Sequence, residues 1–200
     1  MSPRSGQVEP VALSESKLQV VNHRMANVAY TESTNSDPRP MGVEISLVVI
    51  HGISLPPGRF GTGLVHQLFL NTLDPSTDES LESLDKVRVS AHLFIERTGT
   101  MTQFVEFDRC AWHAGESEFE GVSNCNDYSI GIELEGTDDL QYADAQYLVL
   151  THALEALLRA YPRITSSRIV GQSDVAPGRK TDPGSAFDWR RVRNSIGYCR

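Results

Sequence analysis

The chain has only three cysteines in 200 residues, Cys110, Cys125 and Cys199. An odd count at irregular spacing fits free thiols in a reducing compartment better than a disulfide framework. No two of them have metal-site spacing. Basic residues are also scarce: 18 Lys and Arg stand against 26 Asp and Glu, for a net charge of -8. No basic patch with interleaved aromatics exists, so nucleic acid is not an expected partner. An acidic body argues equally against adhesion to anionic membranes or polymers. No apolar run approaches the roughly 18 residues of a membrane span. Residues 1–19 are polar and lack the apolar core of a secretory signal. These absences predict a cytoplasmic protein with no membrane partner.

What is present is an ordinary globular balance, 40% hydrophobic and 22% charged, of a length that suits one domain. Residues 1–17 are rich in Ser, Pro and charge and read as a disordered arm before a domain over 18–200. Residues 30–43 read as loop. The run Ile-Ser-Leu-Val-Val-Ile (45–50) predicts a buried central strand ending at His51. Residues 64–71 predict a short helix and 74–82 an acidic surface loop. Residues 87–96 and 101–107 predict two strands paired across Arg-Thr-Gly-Thr. Residues 114–126 read as an acidic loop. Tyr-Ser-Ile-Gly-Ile-Glu-Leu (128–134) is a second buried strand. Residues 143–161 carry a clear helical apolar stripe stopped by Pro162. A short strand at 168–170 leads into a Gly- and Pro-rich loop at 171–184, and 188–196 predict a last helix. The expected fold is α/β: a single domain with a central mixed sheet flanked by helices.

Several residues could carry chemistry. His51 sits where a strand opens into a loop, a common place for a ligand, although a backbone-satisfied histidine fits as well. His92 reads as a hydrogen-bonded core or pocket-wall histidine rather than a ligand, and His113, in Trp-His-Ala-Gly, as a pocket wall or an aromatic corner. Glu133 lies in an apolar strand, and alternation puts Glu135 on the same face. If that face is buried, such a carboxylate must be paired, metal-linked or raised in pKa, which is what a general base needs. Lys180 and Asp182 flank Thr181 in a loop stiffened by Pro177 and Pro183. Extended backbone would turn both to one side, where a lysine could steady an oxyanion and an aspartate hold a metal. A local salt bridge explains that pair equally well.

The order of the segments says more than any one of them. They are Val-Ile-His-Gly-Ile-Ser-Leu-Pro-Pro-Gly (49–58), Arg-Val-Ser-Ala-His (88–92), Ala-Trp-His-Ala-Gly (111–115), Cys-Asn-Asp-Tyr-Ser-Ile-Gly-Ile-Glu-Leu-Glu-Gly-Thr-Asp (125–138) and Ala-Pro-Gly-Arg-Lys-Thr-Asp-Pro-Gly (176–184). Together they resemble the AmpD-type zinc N-acetylmuramoyl-L-alanine amidases over roughly residues 18–195, a fold shared with T7-lysozyme-type amidases and peptidoglycan recognition proteins. The resemblance implies a monomer that cleaves the lactyl–L-alanine amide of 1,6-anhydromuramyl peptides in wall recycling. It implies Zn2+ held by His51 and Asp182, with Glu133 as acid/base and Lys180 at the oxyanion. Arg88 would hold a peptide-stem carboxylate and Trp112 would form part of the groove.

The chain departs from that pattern once. Gln172 stands where the family has its middle histidine ligand, and an amide oxygen is a weak donor for zinc. Three readings stay open: a weakly metallated or silent muropeptide-binding relative, an introduced change, or a site that recruits another ligand. The loop 116–124 is also more acidic than an anionic stem would favour.

Overall fold

The computed structural model describes residues 17–197. The arm expected over 1–17, apart from Lys17, lies outside the described residues, as does Cys199. Four short strands, Val20–Val21 (β1), Arg24–Met25 (β2), Ala29–Tyr30 (β3) and Ser36–Pro38 (β4), precede the long strand Leu47–Ile53 (β5). Helix Leu64–Phe69 (α1) and two 3-10 turns lead to Leu93–Ile95 (β6), Met101–Gln103 (β7) and Arg109–Ala111 (β8). A small hairpin, Glu118–Phe119 (β9) and Val122–Ser123 (β10), comes before Ser129–Glu135 (β11). The chain ends with Asp144–Ala160 (α2), Ile169–Gly171 (β12), Gln172–Val175 (α3) and Trp189–Ser195 (α4).

Six strands form the central sheet in the order β12-β5-β11-β6-β7-β3. β12, β5, β11 and β6 run parallel, and β7 turns back against β6. The apolar runs of β5 and β11 have this cause: parallel strands covered on both faces expose neither. Val48, Ile50, Ile130 and Ile132 are all fully buried and pack with Leu150, Leu154 and Leu157 of α2. A second cluster holds Phe69 of α1 against Phe94 and Phe104, with edge-to-face rings.

The mixed sheet and the flanking helices agree with the sequence reading, and so does the hairpin across 97–100, registered Leu93 with Gln103. The limits differ in places. β5 runs through His51 to Ile53, so His51 lies within the strand rather than at its end. Of residues 87–96 only Leu93–Ile95 pair as a strand; residues 88–92 are tied instead through Ser90 N–H to Trp112 O (3.1 Å) and His92 N–H to Gly131 O (3.0 Å). The supposed loop 30–43 contains β4, which pairs with β8. Long-range partners decide these short pairings, and local patterning does not carry them.

Glu135 fixes the rim of the sheet. One carboxylate oxygen accepts the Gly61 N–H at 2.6 Å and the other the Arg97 N–H at 3.2 Å. Glu135 is only 4% exposed, so its removal orphans two backbone donors. Glu135→Ala is expected to lower stability by about 2–4 kcal/mol, read as a shift in urea midpoint.

Candidate active site

The parallel register places the functional groups. His51 of β5 is the direct partner of Glu133 on β11, so the two side chains rise side by side from one face. Gly171 of β12 is the partner of Ile50, which delivers the next residue, Gln172, beside His51. Asp182 arrives from the loop after α3. Its carbonyl accepts the Ser173 N–H at 3.0 Å, and the Gly52 N–H reaches its Oδ2 at 3.4 Å. The cluster sits at the carboxyl ends of parallel strands, where open α/β sheets leave a crevice for ligands.

Three side chains converge on one atom, Nδ1 of His51. Gln172 Oε1 is 3.0 Å away, Asp182 Oδ2 3.4 Å and Glu133 Oε1 3.9 Å. The Gln172 amide nitrogen donates to the carbonyls of His113 (3.2 Å) and Ala114 (3.4 Å), which turns its oxygen toward His51. Behind His51 a relay continues: Nε2 meets Nδ1 of His113 at 2.9 Å, and Nε2 of His113 meets Ser129 Oγ at 3.0 Å. With Gln172 as acceptor, protons point from Ser129 through His113 and His51 toward Gln172. Each of Ser129, His113 and His51 can both donate and accept, so the relay also runs in reverse when Nδ1 must offer its lone pair.

The electrostatics follow from burial. Glu133 has a side chain 12% exposed, and its Oε2 is buried without a hydrogen-bond partner. Desolvation pushes its carboxyl up to about 7, against the pull of His51 and Lys180. Burial pushes His51 down, but Glu133 and Asp182 outweigh it and the net shift is upward. Burial, the largest single influence, raises Asp182, but its hydrogen bond to His51, the charges of His51 and Lys180 and the Gly52 N–H together outweigh it, and the net shift is downward. His113 is held well below the ordinary range by burial, with His51 and His92 adding to it. His113 is therefore a neutral partner.

Lys180 is exposed, close enough to pull down both carboxylates. Arg88 and Trp112 do not join the cluster. Arg88 is exposed, and its guanidinium donates to the carbonyls of Val87 (3.0 Å) and Asp85 (3.4 Å). Trp112 precedes His113, and its indole N–H donates to Asp37 at 2.7 Å. His92 is the core histidine expected: its Nδ1 accepts the Gly131 N–H at 3.0 Å and its Nε2 lies 3.0 Å from the Arg109 carbonyl.

Sequence reasoning missed the relay through Ser129 and left His113 undecided. It also missed Tyr142, whose hydroxyl donates to the Pro183 carbonyl at 3.0 Å and so braces the Asp182 loop. Gly52 and Gly136 make room for that ring, since a Cβ on either would lie within 2.3 Å of a Tyr142 atom. Those glycines are the only sequence signal that could have flagged it.

A family model described as N-acetylmuramoyl-L-alanine amidase matches residues 41–185. The chain belongs to the N-acetylmuramoyl-L-alanine amidase family. As a member of that family it is an amidase in class. It is 48% identical over 165 residues to the 1,6-anhydro-N-acetylmuramyl-L-alanine amidase AmpD of Haemophilus influenzae, covering 82% of this chain and 90% of that one. A crystal structure of an Se-Met AmpD derivative superposes with a TM-score of 0.86 at 45% identity, covering 88% of this chain and 98% of the other. AmpDh3 from Pseudomonas aeruginosa, solved in complex with anhydromuramic pentapeptide, matches with a TM-score of 0.57 at 26% identity, over 82% of this chain and 66% of that one. No helix among the described residues is long and apolar enough to cross a membrane.

The zinc that the resemblance implies meets a poor donor set in this amidase. Tight zinc sites use imidazole, thiolate and carboxylate. Around His51 Nδ1 the third donor is a neutral amide oxygen, and among the described residues no three His, Cys, Asp or Glu side chains form a metal-holding group. The residues do not fit the zinc site expected from the resemblance.

Proposed function

We propose that this chain hydrolyses the amide between the lactyl group of N-acetylmuramic acid and L-alanine, acting on 1,6-anhydromuramyl peptides released in peptidoglycan recycling. The observation that carries this reading is Glu133: a buried carboxyl with one unpartnered oxygen, registered beside His51 in a chain of the amidase family. Two features support a cytoplasmic setting, the acidic net charge of -8 and the buried free thiols Cys110 and Cys125.

The chemistry follows from these side chains. Glu133 takes a proton from water as the oxygen attacks the lactyl carbonyl. Negative charge develops on the carbonyl oxygen, and the Lys180 ammonium faces it. Glu133 then passes its proton to the alanine nitrogen as the C–N bond breaks, leaving a lactyl carboxylic acid and a free amine. Arg88 would pair with a stem carboxylate and Trp112 would stack against the substrate at the outer part of the groove.

The test is mass-spectrometric detection of free peptide and anhydromuramic acid from anhydromuramyl-tripeptide. Cleavage at the lactyl–alanine bond is expected, and Lys180→Met should slow it by about 10²–10³-fold. Gln172 favours a second reading, a silent muropeptide-binding protein. Saturable binding of the same peptide without product would establish that reading and end the first.

A further inference from the structure

Arg39 is a half-buried cation that the chemistry above does not use. Pro40 follows it and holds its backbone extended as the chain leaves β4. Its guanidinium turns inward and donates to four backbone carbonyls: Nε to Phe107 (2.9 Å), Nη1 to Asn126 (3.1 Å) and Asp127 (2.8 Å), and Nη2 to Ser129 (2.7 Å). None of these acceptors is a carboxylate. A charge drawn out of water without one is costly, and burial pulls the pKa of this guanidinium down. The residues it ties hold His113 at both ends. Asn126 Oδ1 accepts the backbone N–H of His113 at 3.2 Å and of Ala114 at 2.8 Å, and Ser129 Oγ meets His113 Nε2 at 3.0 Å.

We propose that Arg39 is a positioning residue for amide hydrolysis, holding residues 126–129 so that His113 keeps His51 and Gln172 in their working places. His113 reaches the site by two routes. Its ring Nδ1 meets His51 Nε2 at 2.9 Å, and its carbonyl accepts the Gln172 amide N–H at 3.2 Å. A slip of residues 126–129 therefore moves both neighbours together. His92 adds a further tie. Its Nδ1 accepts the Gly131 N–H, so its ring proton sits on Nε2 and points to the Arg109 carbonyl, beside Arg39 Nη2 at 3.2 Å. Burial first and the Arg39 charge second push that imidazole down to about 3. Nδ1 thus stays free to hold Gly131, the residue against the His113 ring. A planar fork with donors on three nitrogens spans these carbonyls; the single ammonium of a lysine does not.

This role rests on the amidase reading, and the test separates the two. Arg39→Lys, Asn126→Ala and Ile164→Ala are prepared as full chains beside the native one. Asn126→Ala keeps the bonds from Arg39, which go to its carbonyl, and cuts only the side-chain link to His113. Ile164→Ala, a buried core change between α2 and β12, is the control for lost stability. The imidazole signals of His51 and His113 are read by long-range proton–nitrogen NMR at a temperature where the control is folded, and kcat and KM are measured with anhydromuramyl-tripeptide. Arg39→Lys and Asn126→Ala should each move the signals of both rings and lower kcat about 10–100-fold, with KM changed less than about threefold. The double variant should lose less than the product of the two. Ile164→Ala should leave rings and kcat in place. Unmoved rings in either variant would overturn the proposal, as would a kcat loss no larger than that of Ile164→Ala. An Arg39→Lys chain that does not fold leaves Asn126→Ala to decide by the same readings. Rings that move in a chain whose native form turns nothing over would defeat the amidase reading alone; native turnover with unmoved rings in the variants would defeat this proposal alone.

Discussion

Glu133→Gln is expected to lower amide hydrolysis by about 10²–10⁴-fold with the fold unchanged. The substitution keeps the shape of a side chain that is 12% exposed and registered beside His51, but it removes a carboxylate whose buried Oε2 has no hydrogen-bond partner and is free to take a proton. The same residue sets a pH signature. Burial raises its carboxyl from 4.5 to about 7, so the active base form accumulates as pH climbs through about 7. Stability should run the opposite way. A folded-state pKa above the unfolded one gives stability that is complete below 4.5 and lost as pH rises to about 7, a loss of about 3 kcal/mol for the full shift. Glu133→Gln should therefore be less active and more stable than the native chain at pH 8, with the stability gain gone below about pH 4.5. Urea midpoints at pH 4 and 8 check it, and equal midpoints for both proteins at pH 8 would mean that Glu133 is not strained.

Gly131→Ala is the second large effect. A Cβ at Gly131 would lie 2.4 Å from Cγ of the His113 ring, inside any real contact. The ring is buried and hydrogen-bonded at both nitrogens, so it cannot step aside without releasing His51 or Ser129. Overpacking of this kind costs about 1–3 kcal/mol, and a displaced His51 should slow turnover by about 10²-fold. Adding His113→Ala to Gly131→Ala should be markedly less damaging than the sum of the two single changes, because the clash and the ring vanish together. Additive losses would show that the ring has room to move.

Much of this was legible in the chain. The runs at 45–50 and 128–134 announced buried strands, because strands covered on both faces cannot alternate; that the two pair in parallel came from the structure. Glu133 stood out because a carboxylate in such a strand needs a reason, and Asp182 because Pro183 and Lys180 hold its loop in a recognisable pattern. Gln172 was visible as a departure at a ligand position, and the fold brings its oxygen to the histidine that the pattern pairs it with. The short strands β3, β4 and β8 were not legible. Two or three residues carry no period, and their pairing is written in partners far along the chain.

The sequence by itself determined the α/β class, the amidase family pattern and the residue types at His51, Glu133, Gln172 and Asp182, because hydrophobic period and motif order are local properties. Only the tertiary structure decided that His51 is held from behind by His113 and Ser129, that Glu135 anchors two loops while its neighbour on the same face keeps a bare oxygen, and that Gln172 points its oxygen and not its nitrogen at the site. Those are choices of hydrogen-bond partner between segments tens of residues apart, and such partners exist only once the sheet has set its register.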